Sequence, residues 1–318
     1  MLDGLHHVTA ITGDIDANLE FYGRLLGLRL VWQGVNADEP EMRHIAYGDE
    51  RGSPGSIVTF FDMPGVTRGR PGAGMVHRLL LRVAGDEALD FWDRRLARAG
   101  VAGDRRVDGL VFSDPEGLEL ELVIDDREDA PLIAAAADVD VRMALRGVHA
   151  VRAYSADSER SSPVMRGVLG MEPDGEGRWL ARGGRRHGLV IYDRAPPERG
   201  VMGAGTMHHV AFAIRDGEQD SWRAGLAGSR LRPTPVLDRR MFKSIYFREP
   251  SGVLFELATD RPGFVFEPLE RLGESLVLIG DLESRRREIE RRFPPLPNPR
   301  WAASRSPQHT SARCRGSV

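Results

Sequence analysis

The sequence predicts an α+β protein made of four β-α-β-β-β modules arranged in two tandem domains. Three observations support this prediction. Similar apolar segments recur and open each module, a stretch with helical spacing of apolar residues follows each of them, and an apolar segment ending in aspartate closes each one. Side chains repeat every two residues along a strand and every 3.6 along a helix, so the alternation of patterns separates the two element types.

Each module is expected to contain an opening strand, a helix and a group of strands that ends in a closing strand. The opening strands are predicted at residues 5–11, 76–81, 145–151 and 207–214. The helices are predicted at residues 14–22, 87–99, 158–169 and 219–227. The closing strands are predicted at residues 56–62, 118–125, 188–193 and 253–260.

Local signals place the ends of these helices. Asp14 is a typical N-cap residue at the start of the first helix, and Gly27 is expected to stop it. Gly100 follows the second helix, at a position where glycine often takes the left-handed conformation. Pro163 falls inside the third helix and disfavours a continuous helix there.

Modules two and four share a further motif. The sequences Asp-Pro-Glu-Gly at 114–117 and Glu-Pro-Ser-Gly at 249–252 precede their closing strands. Proline and glycine together favour a tight turn. In both modules a glutamate lies four residues after the glycine, at Glu121 and Glu256. We therefore expect each of these closing strands to present one carboxylate.

The acidic, alanine-rich stretch 125–140 is a candidate domain connection. We therefore predict a first domain at 1–130, a second at 131–265 that supplies a histidine and a glutamate ligand, and a C-terminal extension at 266–318. From about residue 293, proline, serine and arginine dominate and no acidic residue follows. Such a composition predicts a disordered tail.

Composition excludes several classes of function. The chain has 318 residues, 41% of them hydrophobic and 29% charged, as in globular proteins. A net charge of −3 argues against a nucleic-acid partner. No apolar run reaches the ~20 residues that cross a membrane, and no secretory signal is recognisable, so we expect a cytoplasmic protein. Cys314 is the single cysteine, which excludes an internal disulfide and a cysteine-rich zinc site.

Two histidine pairs and one glutamate suggest a metal centre. His6 and His7 lie on the first opening strand, His208 and His209 on the fourth, and Glu256 on the fourth closing strand. Adjacent strand residues point to opposite faces, so one imidazole of each pair can enter a given cavity. Aligning the repeats selects His7, His209 and Glu256, a donor set suited to an open-sided Fe(II) site. This prediction requires modules one and four to share a cavity.

The other candidate ligands are interpreted as structural. Arg78 takes the histidine position in module two, so we expect Glu121 to pair with Arg78 instead of binding a metal. His149 lies at a repeat-equivalent position, but Leu189 stands where its carboxylate would be needed. The remaining histidines are interpreted as interior or surface residues: His44, His77, His187 and His309.

The opening His-His-Val-Thr at 6–9 and the segment 238–260, which contains Ser-Ile-Tyr-Phe-Arg-Glu-Pro, resemble the vicinal oxygen chelate superfamily. Within it they are most similar to the hydroquinone-type ring-cleaving dioxygenases, over residues 5–263. The resemblance implies Fe(II), with Mn(II) also compatible, on the same three ligands. It also implies that five residues surround the substrate: Thr9, His6, His208, Arg239 and Tyr246.

The activity that this resemblance implies is the opening of a hydroquinone- or catechol-type ring by O₂, beside a hydroxyl group. His208 or Tyr246 would then move a proton, and Arg239 would stabilise developing negative charge. The expected partners are a small aromatic diol and O₂, and self-association stays open. The alternatives are a glyoxalase-type metal-dependent lyase or isomerase and a non-catalytic binding protein of the same fold.

Overall fold

A computed structural model describes residues 1–125 and 127–299. The elements of the first module are β1 (Leu5–Thr12), α1 (Ile15–Asn18) continued by a π-helix (Leu19–Leu25), β2 (Arg29–Val35), β3 (Arg43–Gly48) and β4 (Ile57–Asp62). The elements of the second module are β5 (Met75–Val83), α2 (Asp86–Arg98), β6 (Gly103–Arg105), β7 (Gly109–Ser113) and β8 (Glu119–Ile124).

The second half of the chain repeats this order and adds an extension. The third module contains β9 (Val148–Ser155), a 3₁₀-helix (Ser158–Ser161), α3 (Ser162–Gly167), β10 (Glu172–Pro173), β11 (Arg178–Arg182) and β12 (His187–Arg194). The fourth contains β13 (Thr206–Ile214), α4 (Gln219–Gly228), β14 (Leu237–Asp238), β15 (Lys243–Arg248) and β16 (Leu254–Thr259). The extension contains two 3₁₀-helices (Leu269–Arg271, Gly280–Arg285) and α5 (Arg286–Arg292).

The strands form two eight-stranded sheets, which confirms the predicted α+β class and its four modules. The first sheet has the order β14-β15-β16-β13-β1-β4-β3-β2, so modules four and one share it. The second has the order β10-β11-β12-β9-β5-β8-β7-β6 and joins modules three and two. The pairing of modules one and four meets the topological requirement of the metal hypothesis. The domain boundary near residue 130 stays a prediction, since each sheet draws strands from both sides of it.

The helix ends follow their local signals. The Asp14 side chain accepts a hydrogen bond from the backbone N–H of Ala17, as an N-cap does. Gly100 has a φ of +77°, the left-handed conformation expected after α2. The third predicted helix is split: a 3₁₀ turn precedes α3, and Pro163 lies in the first turn of α3, where its missing N–H breaks no helical bond.

One apolar core joins the two sheets. It includes Tyr22, Phe60 and Phe255 of the first sheet and its helix, and Trp92 of α2, each with at most 1% of its surface exposed. Tyr22 Oη also donates a hydrogen bond of 3.0 Å to Asp114 Oδ2 in the second module. The two sheets are therefore held together by shared burial, as expected for a chain of this length.

The C-terminal extension packs against the first module, and this corrects one prediction. The sequence predicts a disordered tail from about residue 293, but Phe293 is only 6% exposed and clusters with Val35 and Leu276. The backbone N–H of Leu296 donates to Gln33 Oε1 at 2.7 Å. Apolar burial outweighs the proline-rich composition of this stretch. The rest of the predicted tail, 300–318, lies outside the described residues. Within the described part of the chain, no helix is long and apolar enough to cross a membrane.

Candidate metal centre

The ligand atoms of His7, His209 and Glu256 converge at the centre of the first sheet. Strands β1, β13 and β16 are neighbours, and Ala211 pairs with both His7 and Glu256. Glu256 Oε2 lies 3.1 Å from His7 Nε2 and 2.9 Å from His209 Nε2, and the two Nε2 atoms are 3.3 Å apart. All three side chains are buried. The structure therefore brings the three predicted ligands together.

This donor set fits a divalent cation. Glu256 Oε1 accepts a hydrogen bond of 2.5 Å from Ser244 Oγ. Glu256 Oε2 is fully buried and makes no hydrogen bond of acceptable geometry with any described residue. Buried carboxylate oxygens are normally satisfied. A cation between this oxygen and the two imidazole nitrogens would satisfy it, and two histidines with one carboxylate are a known set for Fe(II).

The outer histidine of each pair supports the inner one. His6 Nδ1 lies 2.8 Å from His7 Nδ1, and His208 Nδ1 lies 2.8 Å from His209 Nδ1. His6 Nε2 lies 3.1 Å from the Thr259 carbonyl oxygen. A proton shared on the Nδ1 side leaves each Nε2 lone pair directed at the centre, which is how outer residues orient ligating imidazoles. His7 and His209 line the cavity beside the centre, whereas His6 and His208 lie behind them.

A chain of hydroxyls runs from His209 to a histidine that the sequence analysis did not assign to the site. Thr9 Oγ1 lies 2.9 Å from His209 Nε2 and 2.8 Å from Thr59 Oγ1. Thr59 Oγ1 lies 3.0 Å from His44 Nε2. His44 was interpreted as a structural residue, but it forms part of the cavity wall. His44 lies on β3, between the opening and closing strands, so no repeated position in the sequence marks it as part of the site.

Tyr246 and Arg239 form one side of the cavity. Tyr246 pairs with Glu256 across β15 and β16, and its ring centre is 5.4 Å from that of His209. The Arg239 guanidinium lies 5.6 Å above the Tyr246 ring, and Arg239 Nη1 is 2.5 Å from Asp38 Oδ2. Arg240 also borders the cavity, at a φ of +63°. Both neighbouring arginines therefore border the cavity, and Arg239 is the one stacked on Tyr246.

The cavity has a volume of about 340 Å³ and a largely aromatic and apolar wall. The apolar wall residues include Trp32, Val35, Phe61, Met241, Phe242, Val277 and Ile279. Two of these, Val277 and Ile279, belong to the C-terminal extension, which the sequence analysis had not connected with the site. A small planar molecule would fit, since such pockets combine apolar walls with a few placed polar groups.

Burial and mutual proximity control the ionisation of these groups. Burial, helped by neighbouring His7, lowers the pKa of His44 to about 3. Burial and nearby His209 lower the pKa of His208 to about 4. Burial opposes ionisation of Glu256, but the His7 and His209 imidazoles hold its pKa well below the usual range. Burial raises the pKa of Tyr246. Metal binding requires neutral ligating imidazoles and an ionised carboxylate, and the low pKa of Glu256 favours the ionised carboxylate.

The second sheet lacks this arrangement at the equivalent position. Arg78 Nη1 lies 2.9 Å from Glu121 Oε2, so the predicted ion pair is confirmed. His77, which was assigned a structural role, has its Nε2 2.8 Å from Asp193 Oδ2. A guanidinium therefore occupies the place where the first sheet has the imidazole of a candidate ligand.

Comparison with known proteins gives the family. The family model described as the Glyoxalase/Bleomycin resistance protein/Dioxygenase superfamily matches residues 4–122 and 147–257. The chain belongs to this superfamily. The resemblance inferred from the His-His-Val-Thr and 238–260 segments is thereby confirmed.

Three proteins illustrate the similarity. "Putative ring-cleaving dioxygenase MhqA" from Bacillus subtilis is 36% identical over 313 residues, covering 93% of this chain and 99% of that protein. "Chlorohydroquinone/hydroquinone 1,2-dioxygenase" from Sphingobium indicum is 30% identical over 317 residues, covering 91% and 95%. The crystal structure of a putative dioxygenase from Bacillus subtilis has a TM-score of 0.85 at 36% identity, covering 93% of this chain and 97% of that one.

Proposed function

We propose that this protein is an Fe(II)-dependent ring-cleaving dioxygenase that opens a hydroquinone- or catechol-type aromatic diol with O₂. The names of the relatives support the ring-cleaving class, and one of these names gives hydroquinone and chlorohydroquinone as substrates. The observation that carries the proposal is the buried cluster of His7, His209 and Glu256 at the wall of an aromatic cavity. The donor set is compatible with Fe(II) and with Mn(II), and the choice of Fe(II) rests on the resemblance.

His7, His209 and Glu256 would hold the metal at the wall of the cavity. A bound Fe(II) would supply Lewis-acid and one-electron redox chemistry there. The negative charge of Glu256 would stabilise a divalent ion at this buried site. Ser244 fixes the outer oxygen of that carboxylate, so that Oε2 stays directed at the two imidazoles.

The chain's own residues bind and orient the substrate. Aromatic side chains, among them Trp32 and Phe61, offer faces and edges against which a ring can pack. Arg239, held by Asp38 and stacked on Tyr246, places a permanent positive charge beside the cavity. We assign Arg239 to the anionic oxygen of the bound diol and of the ring-opened carboxylic product. The positive charge of Arg239 would stabilise the negative charge that develops on the substrate oxygen during the reaction.

Proton transfer is assigned to Tyr246 in preference to His208. Tyr246 and Thr9 border the cavity, whereas His208 lies behind His209 and contacts its Nδ1. Burial raises the pKa of Tyr246, so the hydroxyl keeps its proton and can donate it to a departing or developing oxygen anion. We propose that His6 and His208 act as positioning residues through the Nδ1 atoms of the two ligands.

The test is O₂ uptake after anaerobic loading with Fe(II), using hydroquinone, chlorohydroquinone and catechol. We expect one O₂ per diol and a new ultraviolet absorption from the ring-opened product. His7→Ala and Glu256→Gln should lose this activity. Glu121→Gln is the matched control, because Glu121 has the same sheet register as Glu256 but pairs with Arg78 in the other sheet.

Two results would contradict the proposal. If the Fe(II)-loaded protein consumes no O₂ with any diol but isomerises a hemithioacetal of glutathione, the chain is a glyoxalase-type enzyme. If it binds diols without turnover and retains no metal, it is a binding protein of the same fold. Equal loss of activity in Glu121→Gln and Glu256→Gln would also show that the effect is not specific to the first sheet.

A further inference from the structure

A second cluster of metal-binding side chains lies in the second sheet. Asp125 follows the end of β8, and His149 and His187 lie at the beginnings of β9 and β12. Asp125 Oδ2 is 3.4 Å from His149 Nδ1 and 3.5 Å from His187 Nε2, and the two nitrogens are 3.4 Å apart. Three atoms from three separate chain segments thus form a nearly equilateral triangle.

The distances between these three atoms match the separations of ligand atoms around a metal ion better than they match hydrogen-bond lengths. Zinc lies about 2.0–2.2 Å from imidazole nitrogen and carboxylate oxygen in tetrahedral sites. Ligand atoms about 2.1 Å from a tetrahedral ion are then about 3.4 Å apart, which matches all three separations. Direct N–H···O hydrogen bonds are shorter, with a usual range of about 2.7–3.2 Å.

Burial makes the cluster more than a set of neighbouring polar groups. The Asp125 side chain is only 2% exposed, and His149 and His187 are buried. Asp125 Oδ2 has no hydrogen-bond partner among the residues that the structure describes. The same condition marks Glu256 Oε2 in the first sheet. A buried carboxylate oxygen that faces two imidazole nitrogens is an acceptor for which a cation is the missing partner.

An outer carboxylate prepares His187 as a ligand. Asp129 Oδ2 lies 2.5 Å from His187 Nδ1 and accepts a hydrogen bond of 2.7 Å from the His187 backbone N–H. The Nδ1 contact lacks the geometry of a hydrogen bond, but the charge of the carboxylate favours the proton on Nδ1 and leaves the Nε2 lone pair free.

The cluster is not a copy of the first centre. In the second sheet Ala150 pairs with Leu80, and Leu80 pairs with Glu121. Ala150 is therefore the register equivalent of His7, and His149 corresponds to the preceding residue. His149 has no carboxylate in register with it on its own closing strand, where Leu189 stands. Its carboxylate comes from Asp125, four residues beyond Glu121.

We propose that Asp125, His149 and His187 bind a second divalent transition-metal ion, of the kind represented by Zn²⁺, which ties the end of β8 to the beginnings of β9 and β12. The bound ion would link modules two and three across the central strand β5. Its role is structural, because the ligands are buried among packed strands. A metal that joins segments distant in sequence stabilises the folded chain, since the assembled site does not exist in the unfolded state.

Two arginines set the expected strength of binding. Arg82 Nη1 lies 3.9 Å from Asp125 Oδ2, and Arg127 Nη1 lies 3.3 Å from Asp125 Oδ1. These positive charges oppose a cation at Asp125, whereas Glu256 forms no ion pair with an arginine among the described residues. We therefore expect the second ion to bind more weakly than the ion at His7, His209 and Glu256.

Zinc stoichiometry of the full chain tests the proposal. Chelator-treated protein is incubated with excess Zn²⁺, separated from free metal and assayed by elemental mass spectrometry. Wild type should retain two ions per chain, and the double variant His7→Ala/His209→Ala should retain one. The double variant His149→Ala/His187→Ala should also retain one. His77→Ala removes another buried histidine of the second sheet and should retain two.

A stability measurement covers variants that fold poorly. In the His7→Ala/His209→Ala background, Zn²⁺ should raise the Tm, and the added change Asp125→Asn, which preserves side-chain shape, should abolish that rise. The proposal is overturned if this background retains no zinc, or if His149→Ala/His187→Ala still retains two ions. If the first centre binds no zinc, His149→Ala/His187→Ala will retain no ion, whereas His7→Ala/His209→Ala will still retain one. Failure of the proposed function and failure of this proposal therefore give different results.

Discussion

Replacing Ser244 with alanine would remove the hydrogen bond that fixes the Glu256 carboxylate. Ser244 Oγ donates to Glu256 Oε1 at 2.5 Å, and both side chains are fully buried. The other oxygen of the carboxylate faces His7 and His209. Without the serine hydroxyl the carboxylate can rotate away from the imidazoles, and its buried outer oxygen loses the Ser244 hydrogen bond. We therefore expect weaker metal binding and a less stable metal-free protein.

The size of the effect follows from the kind of bond that is lost. A hydrogen bond to a charged group contributes about 1.5–3 kcal/mol. Removing an outer partner of a metal ligand typically lowers metal affinity by about 10–100-fold. Since tenfold corresponds to about 1.4 kcal/mol, the latter range is about 1.4–2.8 kcal/mol. The two ranges agree, so Ser244→Ala should weaken Fe(II) binding by about 10–100-fold while the three ligands remain.

Anaerobic calorimetric titration with Fe(II) measures this change, and urea unfolding of the metal-free protein measures the stability loss. Ser161→Ala is a chemically matched control, because Ser161 Oγ donates to the buried Glu249 away from the centre. The control should lose stability and keep its Fe(II) affinity. The reasoning is refuted if Ser244→Ala folds and binds Fe(II) as tightly as wild type, or if Ser161→Ala weakens binding equally.

Three further predictions concern pH, substrate binding and the extension. Burial raises the pKa of Asp114 to about 6, so the protonated carboxyl stabilises the fold fully below pH ~4, and this contribution is lost as the pH rises through about 6. Between pH 4 and 7 the free energy of unfolding should therefore fall by about 2 kcal/mol, and Asp114→Asn should remove this fall in unfolding titrations. Arg239→Met should raise KM for the diol about tenfold or more in steady-state O₂ uptake, because the cation beside Tyr246 is lost; an unchanged KM would remove Arg239 from the substrate site. Phe293→Ala should lower the free energy of unfolding by about 3 kcal/mol, since the ring is buried against Val35, and a change below about 0.5 kcal/mol would show that residues 293–299 do not hold the extension in place.

The candidate metal ligands could be predicted from sequence because their positions repeat. Histidine pairs on opening strands and glutamates four residues after a glycine are local features, and strand alternation selects one imidazole from each pair. The structure brings His7, His209 and Glu256 together as this reasoning requires. It separates them from His6 and His208, which contact the ligands from behind and do not border the cavity.

The parts of the site that were missed lie outside that repeat. His44 is on a middle strand, and Val277 and Ile279 come from an extension with no equivalent in the four modules. The second cluster was missed for a related reason. Asp125 lies beyond its strand and His187 was assigned to the interior, so no shared spacing in the sequence connects them.

The sequence by itself determined the alternation of strands and helices, the four modules, and the residue types that can bind a metal, since these depend on periodicity over a few neighbouring residues. Only the tertiary structure decided that module one pairs with module four, and module two with module three. Strand partners are selected by burial and backbone hydrogen bonds between segments far apart in the chain, and local pattern carries little of that information. The same long-range pairing builds the wall of the cavity and brings Asp125 to His149 and His187.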